Sequence, residues 1–270
     1  MRKREHYALA RLMASVNLLT GKPTHATIDS VFSSEREQLI KLTKLFKKGD
    51  VLVFDRGMTG KNVWREINQA GQFFVNRIPI AMKVVSEALN SGKTDVIFEY
   101  KGLTLRLIIK RRGKKEAIAI ITNLLDKEKY TRKKLLELYQ RRWKIENQFK
   151  FLKQTFLLNR FHAKTVNGVM QEIFAALILM SLTTVMIEAT TLREGCQINF
   201  TSAFQLVNKY LHLFIQGFFK RRRNSTLLKT LLNILAKAIQ KVRPNRSFER
   251  VSRQPENKWI RRRRMKKSVA

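Results

Sequence analysis

The chain has 270 residues, 44% of them apolar, which is enough for a packed core and too many for a chain disordered by composition. Against 20 Asp+Glu stand 55 Lys+Arg, giving a net charge of +35 and a pI near 11.0. That excess is beyond what solubility requires and points to a polyanionic partner, nucleic acid first and an anionic membrane surface second. The length fits one large domain or one domain with appendages. Cys196 is the only cysteine, which excludes an intrachain disulfide and suits a reducing compartment. His6, His25, His162 and His212 lack the spacing of a zinc site. Met1 to His6 is charged and lacks the apolar stretch of a signal peptide.

In chain order, 7–19 and 24–31 read as strands joined at the turn-forming cluster Thr20-Gly21-Lys22-Pro23. Ser33 or Ser34 can cap a helix running to about Phe46, with Glu35 and Glu37 favourable in its first turn. Val51-Leu52-Val53-Phe54 has the continuous apolar character of a strand buried on both faces, and it stops at Asp55-Arg56-Gly57. A helix over 60–70 follows, then strands at 72–78, 95–100, 103–110 and 116–122, the middle pair joined at Lys101-Gly102 as a hairpin. Thr131 opens the next helix, and further helices are predicted over 168–192, 201–218 and 226–241. The apolar run from Ile173 to Ile187 is short for a membrane span and is bracketed by Glu172 and Glu188, so a buried core helix is expected. From Lys220 to the C-terminus 18 Lys+Arg face only Glu249 and Glu256, a basic tail. The order predicts an α/β core with a helical C-terminal part: 1–71 a partial core, 72–126 a β-rich insertion, 127–218 helices of the core, and 219–270 the tail.

The helix after Thr131 carries Tyr139, Arg142, Glu146 and Lys153 in the order Y-x2-R-x3-E-x6-K. At about 100° per residue the four fall within an arc of about 60° on one helical face. Leu138, Ile145, Phe149 and Leu152 form the neighbouring stripe that would dock this helix. A carboxylate flanked by two cations and a phenol suits chemistry on a phosphodiester, and Asp55, at the end of an apolar strand 91 residues upstream (146 − 55), could supply a second carboxylate. Gly57 would let the chain turn sharply just after it. Arg142 could grip a phosphate through both arms of its guanidinium, Lys153 would act as a point charge, and Tyr139 could donate to a phosphate oxygen or stack on a base. Taken singly, such a face is more often solvated and laced with i,i+4 ion pairs. Trp64 and Trp143 read as core or groove-lining residues.

The combination resembles the DDE transposases of bacterial insertion sequences, in the insertion-sequence-four family, whose signature is Y-x2-R-x3-E-x6-K. VLVFDRGMTGKNVWREINQAGQFFVNRI looks like that family's second-aspartate region, and TNLLDKEKYTRKKLLELYQRRWKIENQFKFLKQTFLLNRF looks like its glutamate region, continued by GVMQEIFAALILMSL. The resemblance implies a ribonuclease-H-like (retroviral-integrase-like) core with a β insertion between the second Asp and the Glu. It implies two Mg²⁺ (or Mn²⁺) ions held by Asp55 and Glu146, with Tyr139, Arg142 and Lys153 on DNA near the cut. The implied substrate is the double-stranded terminal inverted repeat of a transposon, cut and joined by hydrolysis and transesterification. The implied setting is the bacterial cytoplasm, on the nucleoid, with a homodimer on DNA and no membrane.

Two positions depart from the pattern. Met58 stands where an aromatic commonly follows Asp-x-Gly. More seriously, the first catalytic aspartate of this family sits on a strand ahead of the one that 7–19 resembles, and no such strand precedes it here. Asp29 and Asp50 are poor substitutes, one ending an outer strand and the other beginning the strand whose far end carries Asp55. The missing strand would be central, lying between those at 7–19 and 50–55, and its loss leaves two strand edges facing a gap. The expectation is therefore a transposase shortened at its N-terminus, with little or no catalytic activity by itself. The alternative is a non-catalytic DNA-binding fragment that interferes with a full-length transposase.

Overall fold

Two sheets of unequal size share one core in this protein. The structure, a computed structural model, describes residues 10–30, 32–112, 116–143, 145–146, 151, 161–192, 195–219 and 225–241. β1 (Ala10–Val16) and β2 (Pro23–Ser30) form an antiparallel two-stranded sheet. The larger sheet has five strands in the order β3 (Val51–Phe54), β4 (Phe73–Ile78), β7 (Glu116–Thr122), β6 (Leu103–Arg112), β5 (Asp95–Tyr100). β3 pairs parallel with β4, and every other pair in this sheet is antiparallel. The fold is thus mixed α/β, and β4 to β7 extend the same sheet as β3.

α1 (Glu35–Thr43) joins the two sheets. Ser34 is its N-cap, in a capping box with Glu37, so the helix starts where the sequence offered Ser33 or Ser34 and ends three residues before Phe46. Buried Gln38 sends its Nε2 to the carbonyls of Arg11 and Thr27, both at 3.0 Å, which ties the helix to the hairpin. Met13 of β1, Leu39 and Leu42 of α1, and Leu52 and Phe54 of β3 belong to one buried cluster. α2 (Lys61–Gln69) and α3 (Lys83–Asn90) add Val63, Trp64, Ile67 and Val85 to it, covering one face of the large sheet. Trp64 is 1% exposed, a core residue. The opposite face is covered by α4 (Arg132–Gln140), through Leu135 and Tyr139 against Val75, Ile108 and Ile120.

β3 differs from its expected character. As the edge strand of the large sheet it leaves Val51 40% exposed, so it is not buried on both faces. The Lys101-Gly102 hairpin is as expected: with Tyr100 opposite Leu103, the two loop residues take φ of 50° and 79°, as a type I′ turn requires. A side chain at residue 102 meets nothing within 4 Å, yet the left-handed backbone penalises it. Gly102→Ala is therefore expected to cost about 1–2 kcal/mol of stability, read from urea unfolding.

The C-terminal part consists of α5 (Val166–Glu188), α6 (Phe200–Phe219) and α7 (Ser225–Leu235), with three-residue strands β8 (Cys196–Ile198) and β9 (Ile239–Lys241) paired antiparallel. α5 is long and apolar enough to cross a membrane by length and composition. Here Ile173, Ala176, Leu177 and Met180 pack against Leu12, Ala26 and Ile28 of the hairpin, while Leu179 packs with Ala203 and Val207 of α6. Its other side leaves Phe174, Ile178 and Val185 exposed, so the run expected to be a buried helix is buried on one side only.

Candidate active site

Asp55 follows β3 directly and caps a short 3₁₀ turn, Arg56–Met58, its side chain accepting from the Arg56 N–H. The chain turns here by that capped 3₁₀ turn; Gly57 has no positive φ, and a Cβ there would meet only Glu35 Oε2 at 3.6 Å. The expectation that glycine freedom makes this turn is thus corrected: the Asp55 side chain organises it.

One residue that holds Asp55 in place was not foreseen. Asn76, fully buried on β4, donates from Nδ2 to the Asp55 carbonyl at 2.9 Å and to the Arg77 carbonyl at 3.0 Å. Its Oδ1 accepts from Trp64 Nε1 at 3.0 Å. The signal was present in Phe73-Phe74-Val75-Asn76, an amide inside an apolar strand, where burial without partners costs a few kcal/mol.

The second carboxylate arrives through α4. Thr131 caps that helix by accepting from Lys134 N, and regular helix ends at Gln140. Residues 141 and 142 form a turn with i→i+3 bonds, Arg142 N to the Tyr139 carbonyl and Ile145 N to the Arg142 carbonyl, both at 3.1 Å, and helical geometry resumes at Trp143. One unbroken helical face is therefore not what carries the signature.

Tyr139, Arg142 and Glu146 nevertheless converge with Asp55. Arg142 is 8% exposed; its Nη2 lies 2.6 Å from Glu146 Oε1 and its Nη1 lies 4.0 Å from Asp55 Oδ2. The two carboxylates are much more open, 49% and 42% exposed in their side chains. Burial acts to lower the Arg142 pKa, but the bond to Glu146, with Tyr139 and Asp55 alongside, raises it above its ordinary value, so the cation is permanent. Its Cζ lies 5.7 Å from the Tyr139 ring centroid and 5.8 Å from that of Trp143.

Tyr139 is 5% exposed and its ring is part of the core beneath α4, so it is not free to stack on a base. Its buried Oη and the buried Arg142 Nε have no hydrogen-bond partner among the described residues. Two unspent donors beside two carboxylates suit an anion with several oxygens. Trp143, 56% exposed, is the aromatic available to a ligand. Lys153, Phe149 and Leu152 lie outside the described residues. Asp29 pairs with Lys41 at 2.7 Å and Asp50 accepts from Lys47 N at 2.8 Å, so both are engaged in local structure.

No group of three His, Cys, Asp or Glu that could hold a metal occurs among the described residues. The two half-open carboxylates, Asp55 and Glu146, are both turned to the Arg142 guanidinium.

Known proteins give this arrangement its context. The piggyBac transposase, solved by cryo-EM as a synaptic complex with hairpin DNA, aligns with a TM-score of 0.43 and 12% identity over 84% of this chain and 51% of its own. A curated protein of Sinorhizobium fredii named as a transposase, y4zB, is 27% identical over 172 residues, covering 57% of this chain and 48% of the relative. The chain thus spans about half the length of that relative. The family described as Transposase DDE domain matches residues 2–182, more than half of the chain and both carboxylates of the cluster. The chain belongs to the DDE transposase family.

Proposed function

We propose that this chain is a transposase polypeptide of the insertion-sequence-four type, which binds transposon-end DNA and presents Asp55 and Glu146 for strand cleavage and transfer. The observation that carries this is the Arg142 guanidinium, buried between the two carboxylates with Nε still unpartnered at the end of β3. Arg142 grips a backbone phosphate beside the carboxylates, and Tyr139 Oη donates to a second oxygen of the same group. Asp55 and Glu146 would hold Mg²⁺ or Mn²⁺, which would supply Lewis-acid activation of a phosphodiester at that point. Trp143 offers its exposed ring to a base at the cut end.

We further propose that a strand bearing a third carboxylate belongs between β1 and β3. Two unjoined sheets with a common buried cluster through Met13, Leu52 and Phe54 support this, since an added strand would merge them over an existing core. The alternative reading is a non-catalytic DNA-binding polypeptide that interferes with a full-length transposase.

A strand-transfer assay on matched transposon ends with Mg²⁺ tests both parts. Product is expected from a polypeptide in which a carboxylate-bearing strand pairs between β1 and β3, and none without it. Transfer without such a strand would sink the second part, and no transfer with it would sink the first.

A further inference from the structure

α4 crosses the large sheet obliquely. Its first residue, Arg132, donates from Nη2 to the Ile109 carbonyl of β6 at 2.7 Å, whereas Arg142, just past its end, reaches Asp55 beside β3 at the other edge. Along one side of α4, from Arg132 to Gln140, the helix and β6 line a cleft of about 590 Å³. Lys110 lines it from β6, and Arg132, Lys133, Glu137 and Gln140 from α4; Arg111 borders it too but sends its guanidinium to the Leu89 carbonyl of α3 on the opposite face. Three cations there face Glu137.

One of those cations is fixed before any ligand arrives, since Arg132 is held by the Ile109 carbonyl. Arg132 Nε is buried without a hydrogen-bond partner among the described residues, a donor left unspent in the cleft wall. Lys110 and Lys133 make no hydrogen bond or ion pair among the described residues. The cleft is open and cationic, unlike the enclosed pocket that a small organic ligand needs. A chain of phosphates fits it better: the fixed Arg132 guanidinium to position the backbone, and the ammonium groups of Lys110 and Lys133 to neutralise it.

We propose that this cleft is a second seat for the DNA backbone, separate from the carboxylate cluster. From Arg132 to Arg142 is ten residues, roughly 15 Å at 1.5 Å per helical residue. One strand of duplex carries a phosphate about every 3.4 Å along the axis, so the seat takes phosphates about four nucleotides from those at Arg142. The two ends of α4 then set the register of the strand end over Asp55 and Glu146. This inference rests on the DNA-end function proposed above.

The test uses the full chain with Lys110→Gln and Lys133→Gln combined, against a control that loses the same charge elsewhere, Lys44→Gln with Lys47→Gln, at the end of α1. Affinity for a short duplex is measured across a salt series. The cleft double is expected to lower the slope of log K against log salt by about 1.8, at 0.9 per phosphate contact, and the control to leave it unchanged. Equal slope changes in the two doubles would overturn the cleft while leaving DNA binding intact. Wild-type chain that fails to bind duplex would instead overturn the function on which the cleft rests. A repeat with excess inorganic phosphate at constant ionic strength separates the sources: the difference between the doubles persists for a backbone seat, and its disappearance means the cleft takes free phosphate.

Discussion

Replacing Arg106 with leucine is expected to cost about 3–5 kcal/mol of unfolding free energy, read from the urea midpoint. Arg106 lies on β6 at 1% exposure, and its Nε and Nη2 meet the two oxygens of Asp95 on β5 at 2.8 and 2.6 Å. Its Nη1 donates to the Tyr130 carbonyl at 2.7 Å and more weakly to that of Asp126 at 3.4 Å. One side chain therefore ties a strand pair to the segment that leads into α4. Leucine leaves the Asp95 carboxylate and the Tyr130 carbonyl without their donor, and the penalty is that of unmatched polar groups more than of the lost attraction. The double variant Asp95→Leu/Arg106→Leu is accordingly expected to recover part of the loss. A midpoint shift under about 1 kcal/mol, the range of exposed ion pairs, would mean that water replaces the guanidinium.

The same pair gives stability a pH dependence. The Arg106 hydrogen bonds hold the Asp95 carboxyl below its ordinary 3.8, overcoming the opposing effect of burial, with Lys127 and Arg132 adding to the pull. The unfolded chain therefore takes up this proton at higher pH than the folded one. The contribution is fully present above about pH 3.8 and fades as pH falls through the lower folded value. In Arg106→Leu that acid-limb dependence is expected to weaken, since Lys127 and Arg132 still pull on Asp95 against its burial.

Elements announced by side-chain chemistry were legible in the sequence. The Ser34–Glu37 capping box, the Lys101-Gly102 turn and the apolar run ending at Asp55 each encode their structure within a few residues. α3 was not foreseen because Met82, at its N-cap position, makes no side-chain capping bond and the helix is only eight residues long. β8 and β9 have three residues each, too few to display a period. The one-sided burial of α5 was hidden because a helix apolar all round names no face; only the hairpin and α6 decide which side is covered.

The site was legible in its identities and less so in its geometry. Spacing brought Tyr139, Arg142 and Glu146 together, and Arg142 does reach both carboxylates. Spacing could not register the turn at 141–142, which breaks the helix between Tyr139 and Glu146, nor that Tyr139 is committed to the core. Asn76 was missed because a single amide in an apolar strand looks like a defect until its four hydrogen bonds are seen.

On the proposed function, Glu146→Gln is expected to lower strand transfer at least about 100-fold in a transfer-competent polypeptide, since even groups that only support a metal ligand cost 10–100-fold when removed. The amide keeps an oxygen facing Arg142 Nη2, so the contact can survive without its charge. Because the Glu146 side chain is 42% exposed, the cost in stability is expected to stay within the range of surface ion pairs, below about 1 kcal/mol. DNA affinity is expected to hold or rise slightly, because one negative charge leaves a surface that binds phosphate. Asp55→Asn is expected to act in the same direction on transfer, and both variants to weaken Mn²⁺ binding followed by electron paramagnetic resonance in the absence of DNA. Arg142→Lys separates the roles: an ammonium keeps the charge but cannot span Asp55 and Glu146 as the fork does, so DNA binding is expected to weaken while Mn²⁺ binding remains. A Glu146→Gln polypeptide that transfers strands normally would make Glu146 no more than the partner of Arg142, and the carboxylate chemistry would have to be sought elsewhere.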